Sequence, residues 1–345
     1  MGWRLWTLED VKNWAVDGAS RFHSATHEEI AAAATTDIYF IKTMEILRHL
    51  GLEDKPVVAE IFPRQGGVLC GVEECRHLLK DLGVEVWALP EGAEFGPKDV
   101  VMRIIGPYGR FGVYETALLG MLASATGWAT AARRAKQAAG GKPVICFGAR
   151  HVHPAVAPVM ERAALVGGAD GAACVLGAKL LGREPVGTMP HAMLLIIGDT
   201  VEGALAYDAV MPPDSPRTVL VDTFKDEAEE SLRVARALGE RLQGVRLDTP
   251  GERGGVTAGL VAEVRARLDR AGFRHVQILV SGGLNPERIQ ELAAAGADAF
   301  GVGSYISAAA PIDMTMDLKE IDGKPVAKRG RIPGPTPAPG LVRIL

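Results

Sequence analysis

The stretch HVQILVSGGLNPERIQELAAAGADAFGVGS, residues 275–304, decides the reading of the whole chain. An apolar run meets a pair of glycines, and a helix signal opens at Asn285-Pro286 with apolar residues at three-and-four spacing. After Gly296 a second run, DAFGVGS (298–304), ends in glycine again. Strand, glycine turn, helix and strand in that order form the repeating unit of a parallel sheet. Working back toward the N-terminus, the same alternation supplies candidate strands VICFGAR (144–150), GAACVL (171–176), PVGTMP (185–190), TVLVDTF (218–224) and GVRLDT (244–249). Helical stretches such as DEAEESLRVARALGERL separate them, and a short helix, VLGAKLLG, competes with the second strand. About seven repeats without long interruptions predict an α/β fold built on a (β/α) barrel, with one strand missing from the usual eight.

Before residue 110 the texture changes. WTLEDVKNW, ATTDIYFIKTMEILRHLG and GVEECRHLLKDLG read as helices, whereas PVVAEIFP, VEVWALPEG and VVMRIIGP read as strands of a smaller α/β domain covered on one face. Residues 115–140 read as one long helix, and the tail RGRIPGPTPAPG (329–340) as extended or mobile.

The 345 residues, 48% hydrophobic, are enough for a large core, and a net charge of −4 offers no basic field for nucleic acid. Four scattered cysteines show no zinc spacing and no disulfide framework, so a reducing cytoplasm is expected. No apolar run reaches 18 residues and the N-terminus lacks an apolar signal region, so neither a membrane span nor a signal peptide is expected. Small-molecule chemistry is the class that remains.

In such barrels that chemistry gathers at the carboxyl ends of the strands. Phe147 and Arg150 end the first strand, Asp170 opens the second and His191 follows the third. Asp222 with Thr223 ends the fourth, and Arg246 with Asp248 ends the fifth. Each alone is accounted for by a helix cap or a surface ion pair; their concentration at one rim points to a site. The loops SGGLNP (281–286) and GVGSY (301–305), each followed by a helix, suit an anion, and Ser281, Gly282, Gly283, Gly301, Gly303 and Ser304 are candidate phosphate ligands. Asp222 and Asp248 suit ribose hydroxyls or Mg²⁺, and Arg150 and Arg246 suit phosphate or carboxylate. His151 and His153 fit phosphate binding or helix-entry packing equally well; Lys179 and Lys225 read as phosphate or surface lysines rather than Schiff-base groups.

Taken as an ordered series, TDIYFIKT (36–43), FGARHVHP (147–154), GGADGAACVLGAKLLG (167–182), GTMPHA (187–192), VDTF (221–224), GVRLDTPG (244–251), SGGL (281–284), FGVGSYI (300–306) and EIDGKPVAKRGR (320–331) resemble the nicotinate phosphoribosyltransferase family in its short prokaryotic form. The resemblance implies an incomplete barrel joined to an α/β sandwich: an N-terminal domain over 1–114, a barrel over 115–310, and a segment, 311–345, returning to the first domain. It implies transfer of phosphoribosyl from phosphoribosyl pyrophosphate to nicotinate, with Mg²⁺, ATP as co-substrate, and a homodimer or multiple of dimers with shared active sites.

By the same resemblance Tyr39, supported by Asp37, faces the pyridine ring from a neighbouring subunit and Phe147 faces it from the other side. Arg150 and Arg246 hold phosphates and the nicotinate carboxylate, Asp248 the ribose, Asp222 the pyrophosphate and metal side, and His191 is phosphorylated by ATP. Asp170 stands where nicotinamide-using relatives carry an aspartate facing the amide. SGGL replaces an acidic SGDL-type loop, and the tail lacks the Cys-rich element of some short relatives, so no zinc is expected.

Overall fold

The computed structural model describes residues 4–16, 21 and 23–345. The chain divides into two compact units, Met1–Thr130 with Ala310–Leu345, and Ala131–Ala309.

The first unit is built on a six-stranded antiparallel sheet. Its strands run in the order Lys324–Pro325, Met314–Ile321, Pro56–Pro63, Met102–Pro107, Glu85–Ala88 and Val342–Arg343. In the central strand Val57 to Ile61 are all buried, so both faces are covered, against the expectation of one; in Met102–Pro107 the predicted alternation begins as expected. The reason lies at Glu60, whose carboxylate is buried because Arg103 Nε (3.0 Å) and the Thr336 amide (2.9 Å) donate to it. The Pro-rich tail is therefore tied down: the Lys319 ammonium donates to Ile332 O (2.6 Å), and the Gly334 amide to Lys319 O (3.1 Å).

The helices Ile38–His49 and Val72–Leu79 bring Ile41, Met44, Val72, Cys75 and Leu79 into the same core as Ile61, Met102, Ile104 and Phe111. Residues 115–130 of the helix Glu115–Ala138 cluster here too, which moves the division from the expected residue 114 to Thr130. Leu118 and Leu122 belong to this core, and the Thr126 and Thr130 hydroxyls accept from the Cys70 (3.2 Å) and Val68 (2.9 Å) amides.

In the second unit six parallel strands follow the order Gly171–Ala172, Val144–Cys146, Ala299–Val302, Gln277–Val280, Gly244–Leu247 and Thr218–Leu220. The first and last strands in sequence pair with each other, as in a barrel, and the sheet is left open between Gly171–Ala172 and Thr218–Leu220. The expected strand 185–190 runs at that opening but forms no ladder beyond the Val186 amide to Ala172 O (2.8 Å), so six strands are found where about seven were expected. Pro185 and Pro190 lack the donors that a ladder requires. Four of the helices between the strands start at side-chain caps: Asp199, Asp226, Thr257 and Asn285 each accept from a first-turn amide.

Candidate active site

The carboxyl ends of the barrel strands carry a connected set of polar side chains. Pro190 ends the loop 187–190 and caps the helix His191–Ile197, so His191 stands at the first helical position. Its Nε2 lies 3.0 Å from Asp222 Oδ2, at the end of Thr218–Leu220; the Asp222 side chain is 1% exposed while the imidazole remains accessible. Burial raises the Asp222 carboxyl above its ordinary range, the hydrogen bond and charge of His191 pull it down, and Asp248 pushes it up. Asp222 Oδ1 and the neighbouring Thr223 Oγ1 are buried without hydrogen-bond partners.

Arg246, projecting from Gly244–Leu247, is the best-held cation. Its Nε donates to Ser281 Oγ (2.8 Å), Nη1 to Thr188 Oγ1 (3.1 Å) and Nη2 to Asp248 Oδ2 (3.1 Å). Its guanidinium carbon lies 5.0 Å from the centroid of the Phe147 ring, within cation–π range. Burial lowers the Arg246 pKa, opposed by Asp248 and Asp222, and Arg150 lowers it further through its nearby like charge. Arg150 itself is exposed on the short helical turn Ala149–His151, with no acidic partner among the described residues.

Glycines shape the space around Phe147. A Cβ on Gly301 would fall 2.4 Å from Phe147 Cε2, and one on Gly303 would fall 2.8 Å from His151 Cε1. The His151 ring in turn sits with Nδ1 3.3 Å from Ser307 Oγ. Gly282 and Gly283 take positive φ of 91° and 61°, conformations that favour glycine, at the exposed turn after Gln277–Val280. Ser304 is exposed at the start of the turn Ser304–Ser307.

Three expectations need correction. Gly301 is buried within the strand Ala299–Val302, paired with Ile145 and packed against Phe147, so it shapes the seat of that ring and is not part of a phosphate turn. Asp170 is at the opposite, amino-terminal end of the strands: its Oδ2 accepts from the Val144 amide (2.7 Å) and pairs with Lys136 (2.8 Å). A carboxylate preceding Gly171–Ala172 cannot reach the rim, where that strand presents only Ala172 and Ala173. Ser281 is likewise not a free phosphate ligand, because its buried hydroxyl accepts from Arg246 and donates to Asp248 Oδ1 (2.8 Å). Its work is to hold those two side chains. The sequence reading missed Thr188; its place in GTMPHA, three residues before His191, was the signal available.

Asp37 and Tyr39 belong to the first unit. Asp37 caps the helix Ile38–His49 through its backbone, its amide donating to Thr116 Oγ1 (3.1 Å), and the Tyr39 ring is 55% exposed beside Phe40. Asp37 also faces the Tyr39 hydroxyl, which burial, foremost, holds above its ordinary pKa.

For a divalent cation the second unit offers the Asp222 and Asp248 carboxylates, and no group of three or more acidic, histidine or cysteine side chains suited to a metal occurs among the described residues. A hard, oxygen-seeking cation that keeps most of its water fits two carboxylates, one of them with an unpartnered buried oxygen.

Residues 37–126 match the N-terminal domain of quinolinate phosphoribosyl transferase, and residues 128–317 match its C-terminal domain. Nicotinate phosphoribosyltransferase pncB2 of Mycobacterium tuberculosis is 34% identical over 249 residues, 69% of this chain and 52% of that one. Nicotinate phosphoribosyltransferase of Bacillus subtilis is 28% identical over 316 residues, covering 79% and 62%. The chain thus spans about half the length of the mycobacterial relative. The crystal structure of nicotinate-nucleotide pyrophosphorylase from Pyrococcus furiosus superposes with a TM-score of 0.87 at 48% identity, over 91% of this chain and 82% of that one. The mycobacterial and Bacillus relatives are both named nicotinate phosphoribosyltransferases, and, with both domains matched in order, the chain belongs to the quinolinate phosphoribosyl transferase family.

Proposed function

We propose that this protein transfers the phosphoribosyl group of phosphoribosyl pyrophosphate to nicotinate, forming nicotinate mononucleotide and pyrophosphate as an entry step to NAD. The observation that carries this reading is the Arg246 guanidinium, fixed by three side chains over the Phe147 ring. A flat ring with one carboxylate needs an aromatic face and one well-oriented cation. Quinolinate, with two adjacent carboxylates, needs a second fixed cation, and Arg150 is exposed and unpaired among the described residues. Nicotinamide lost its supporting feature with the placement of Asp170.

The nicotinate nitrogen has a free lone pair, so no general base is required. Its bond to the sugar C1 forms as the bond from C1 to pyrophosphate breaks, and positioning and charge supply the acceleration. Arg246 orients the carboxylate, Phe147 the ring, Asp248 the ribose, and the turn at Gly282 and Gly283 together with Gly303 offers backbone amides to the 5′-phosphate. Asp222 and Asp248 would hold Mg²⁺, which would supply positive charge to the departing pyrophosphate.

For ATP coupling, His191 Nε2 faces Asp222 at 3.0 Å, and in the tautomer that carries its proton on Nε2 it donates to that carboxylate and leaves Nδ1 as the free nucleophilic lone pair. The γ-phosphoryl group moves to Nδ1, and ADP departs with the electrons of the broken P–O bond. A dimer with shared sites is supported by apolar side chains left exposed on each unit: Tyr39, Ile46 and Leu50 on the first, and Leu195, Ile196 (86% exposed) and Val210 on the second. The chain has no helix long and apolar enough to cross a membrane among the described residues.

Quinolinate is the second reading, favoured by the family description that both domains match. The deciding assay supplies phosphoribosyl pyrophosphate and Mg²⁺ with nicotinate, nicotinamide or quinolinate, each with and without ATP. Nicotinate mononucleotide formation stimulated by ATP is the expected result. Turnover with quinolinate alone, with release of CO₂, would replace the substrate assignment.

A further inference from the structure

We propose that Glu161 is a positioning residue that sets the two neighbouring loops at the barrel mouth, an assignment that rests on the transferase reading above. Glu161 lies on the helix Ala157–Gly167, APVMERAALVG, otherwise apolar apart from Arg162, and it is completely buried. An unpaired buried carboxylate is costly, and the groups that act on this one are backbone amides, with no basic side chain paired to it among the described residues. Its partners are backbone amides. Oε1 accepts from Ala149 N–H (3.0 Å) and Oε2 from Cys174 N–H (2.5 Å), and the amides of Gly148 and Ala173 face the same group.

These donors come from two different loops. Ala149, two residues after Phe147, opens the turn carrying Arg150, and Cys174 caps the helix Val175–Lys179 that follows the second barrel strand. One carboxylate thus satisfies the orphan amides of two helical N-termini and holds them in a common frame. Gly177 makes the approach possible, since a Cβ there would stand 3.1 Å from Glu161 Cβ. Burial raises the carboxyl while the four amides oppose it, with desolvation the larger effect. Both oxygens are needed: an amide side chain can accept for one loop only and turns its NH₂ toward the donors of the other.

The test is Glu161→Gln, with steady-state kinetics for nicotinate and amide exchange at Gly148, Ala149, Ala173 and Cys174. Expected are a KM for nicotinate raised about tenfold or more, kcat changed less than about threefold, and faster exchange at the loop served by the amide end. A purely structural role would lower stability and the amount of active enzyme, leaving KM in place. A folded variant with unaltered KM or unaltered exchange overturns the proposal. If Glu161→Gln does not fold, Glu161→Asp, which keeps the charge but falls one methylene short of both loops, carries the same expectation and the same refutation. Wild-type turnover in the same assay separates the cases: if the wild type does not use nicotinate, the transferase reading fails, while the exchange measurement still decides whether Glu161 pins the loops.

Discussion

Gly301→Ala isolates the packing that holds the ring-binding residue. The Cβ would fall 2.4 Å from Phe147 Cε2, 2.6 Å from Cδ2 and 3.2 Å from Ser281 Cβ. Carbon atoms rest about 3.5–4.0 Å apart, so roughly 1 Å of displacement is demanded. Gly301 has no positive φ, so alanine adds no backbone strain, and the strand is pinned through its pairing with Ile145. The ring must move, and the Arg246 guanidinium lies against it. Overpacking of this kind costs about 1–3 kcal/mol, and a misplacement near 1 Å at a reacting centre costs about 100-fold in rate.

Urea unfolding and kcat/KM for nicotinate, measured on one preparation, read both effects. The double variant with Phe147→Ala gives the decisive comparison, because removing the ring removes the clash. The stability cost of alanine at 301 should fall by about 1 kcal/mol or more in that background. Strict additivity would refute the reasoning, since it would show that the cost does not arise at Phe147. Gly283→Ala is the control: its Cβ meets nothing within 4 Å, and the positive φ of 61° alone should cost about 1 kcal/mol without disturbing the ring.

His191→Ala should abolish ATP stimulation while leaving some uncoupled transfer; full coupling in that variant would remove His191 from the mechanism. Arg246→Lys, which cannot reproduce the three-way guanidinium geometry, should raise KM for nicotinate about tenfold or more in initial-rate measurements. Asp170→Asn should leave the preference among pyridine substrates unchanged in competition assays, because its carboxylate serves Val144 and Lys136. Glu115 is pushed from 4.5 up to about 7, first by burial and then by Asp317. A folded-state value above the unfolded one means stability is lost as pH rises from about 4.5 through about 7. Glu115→Gln should therefore match the wild type near pH 4 and gain on the order of 2 kcal/mol at pH 8 in urea unfolding, a figure already reduced for partial solvent screening.

Much of this architecture is legible in the chain because it is written in local chemistry. The period-2 and three-and-four patterns, with Asp, Thr and Asn caps and terminal glycines, specify strand–helix repeats wherever they occur, and PVVAEIFP forms the strand Pro56–Pro63 at its predicted bounds. Residues placed at or just beyond the strands' carboxyl ends, among them Phe147, Asp222, Arg246 and Asp248, reach the same rim because a parallel barrel sends every strand's carboxyl end one way. Asp170 is the exception: it opens the second strand, as the reading of GAACVL places it, and a residue at the amino end of a parallel strand lies opposite the rim, where the structure holds it against Val144 and Lys136.

What the sequence determined by itself was the type and order of the elements, the inventory of charged and aromatic groups, and the glycines that their turns require. The tertiary structure decided the pairings. It gave Ser281 to Arg246 and Asp248, brought Thr188 from a loop with only one ladder bond to the same guanidinium, and buried Glu60 beneath the C-terminal tail. Those contacts join residues from 33 to 276 positions apart. Local propensity carries no information about partners at such separations; they are set only when the sheet closes and each buried polar group must find a mate.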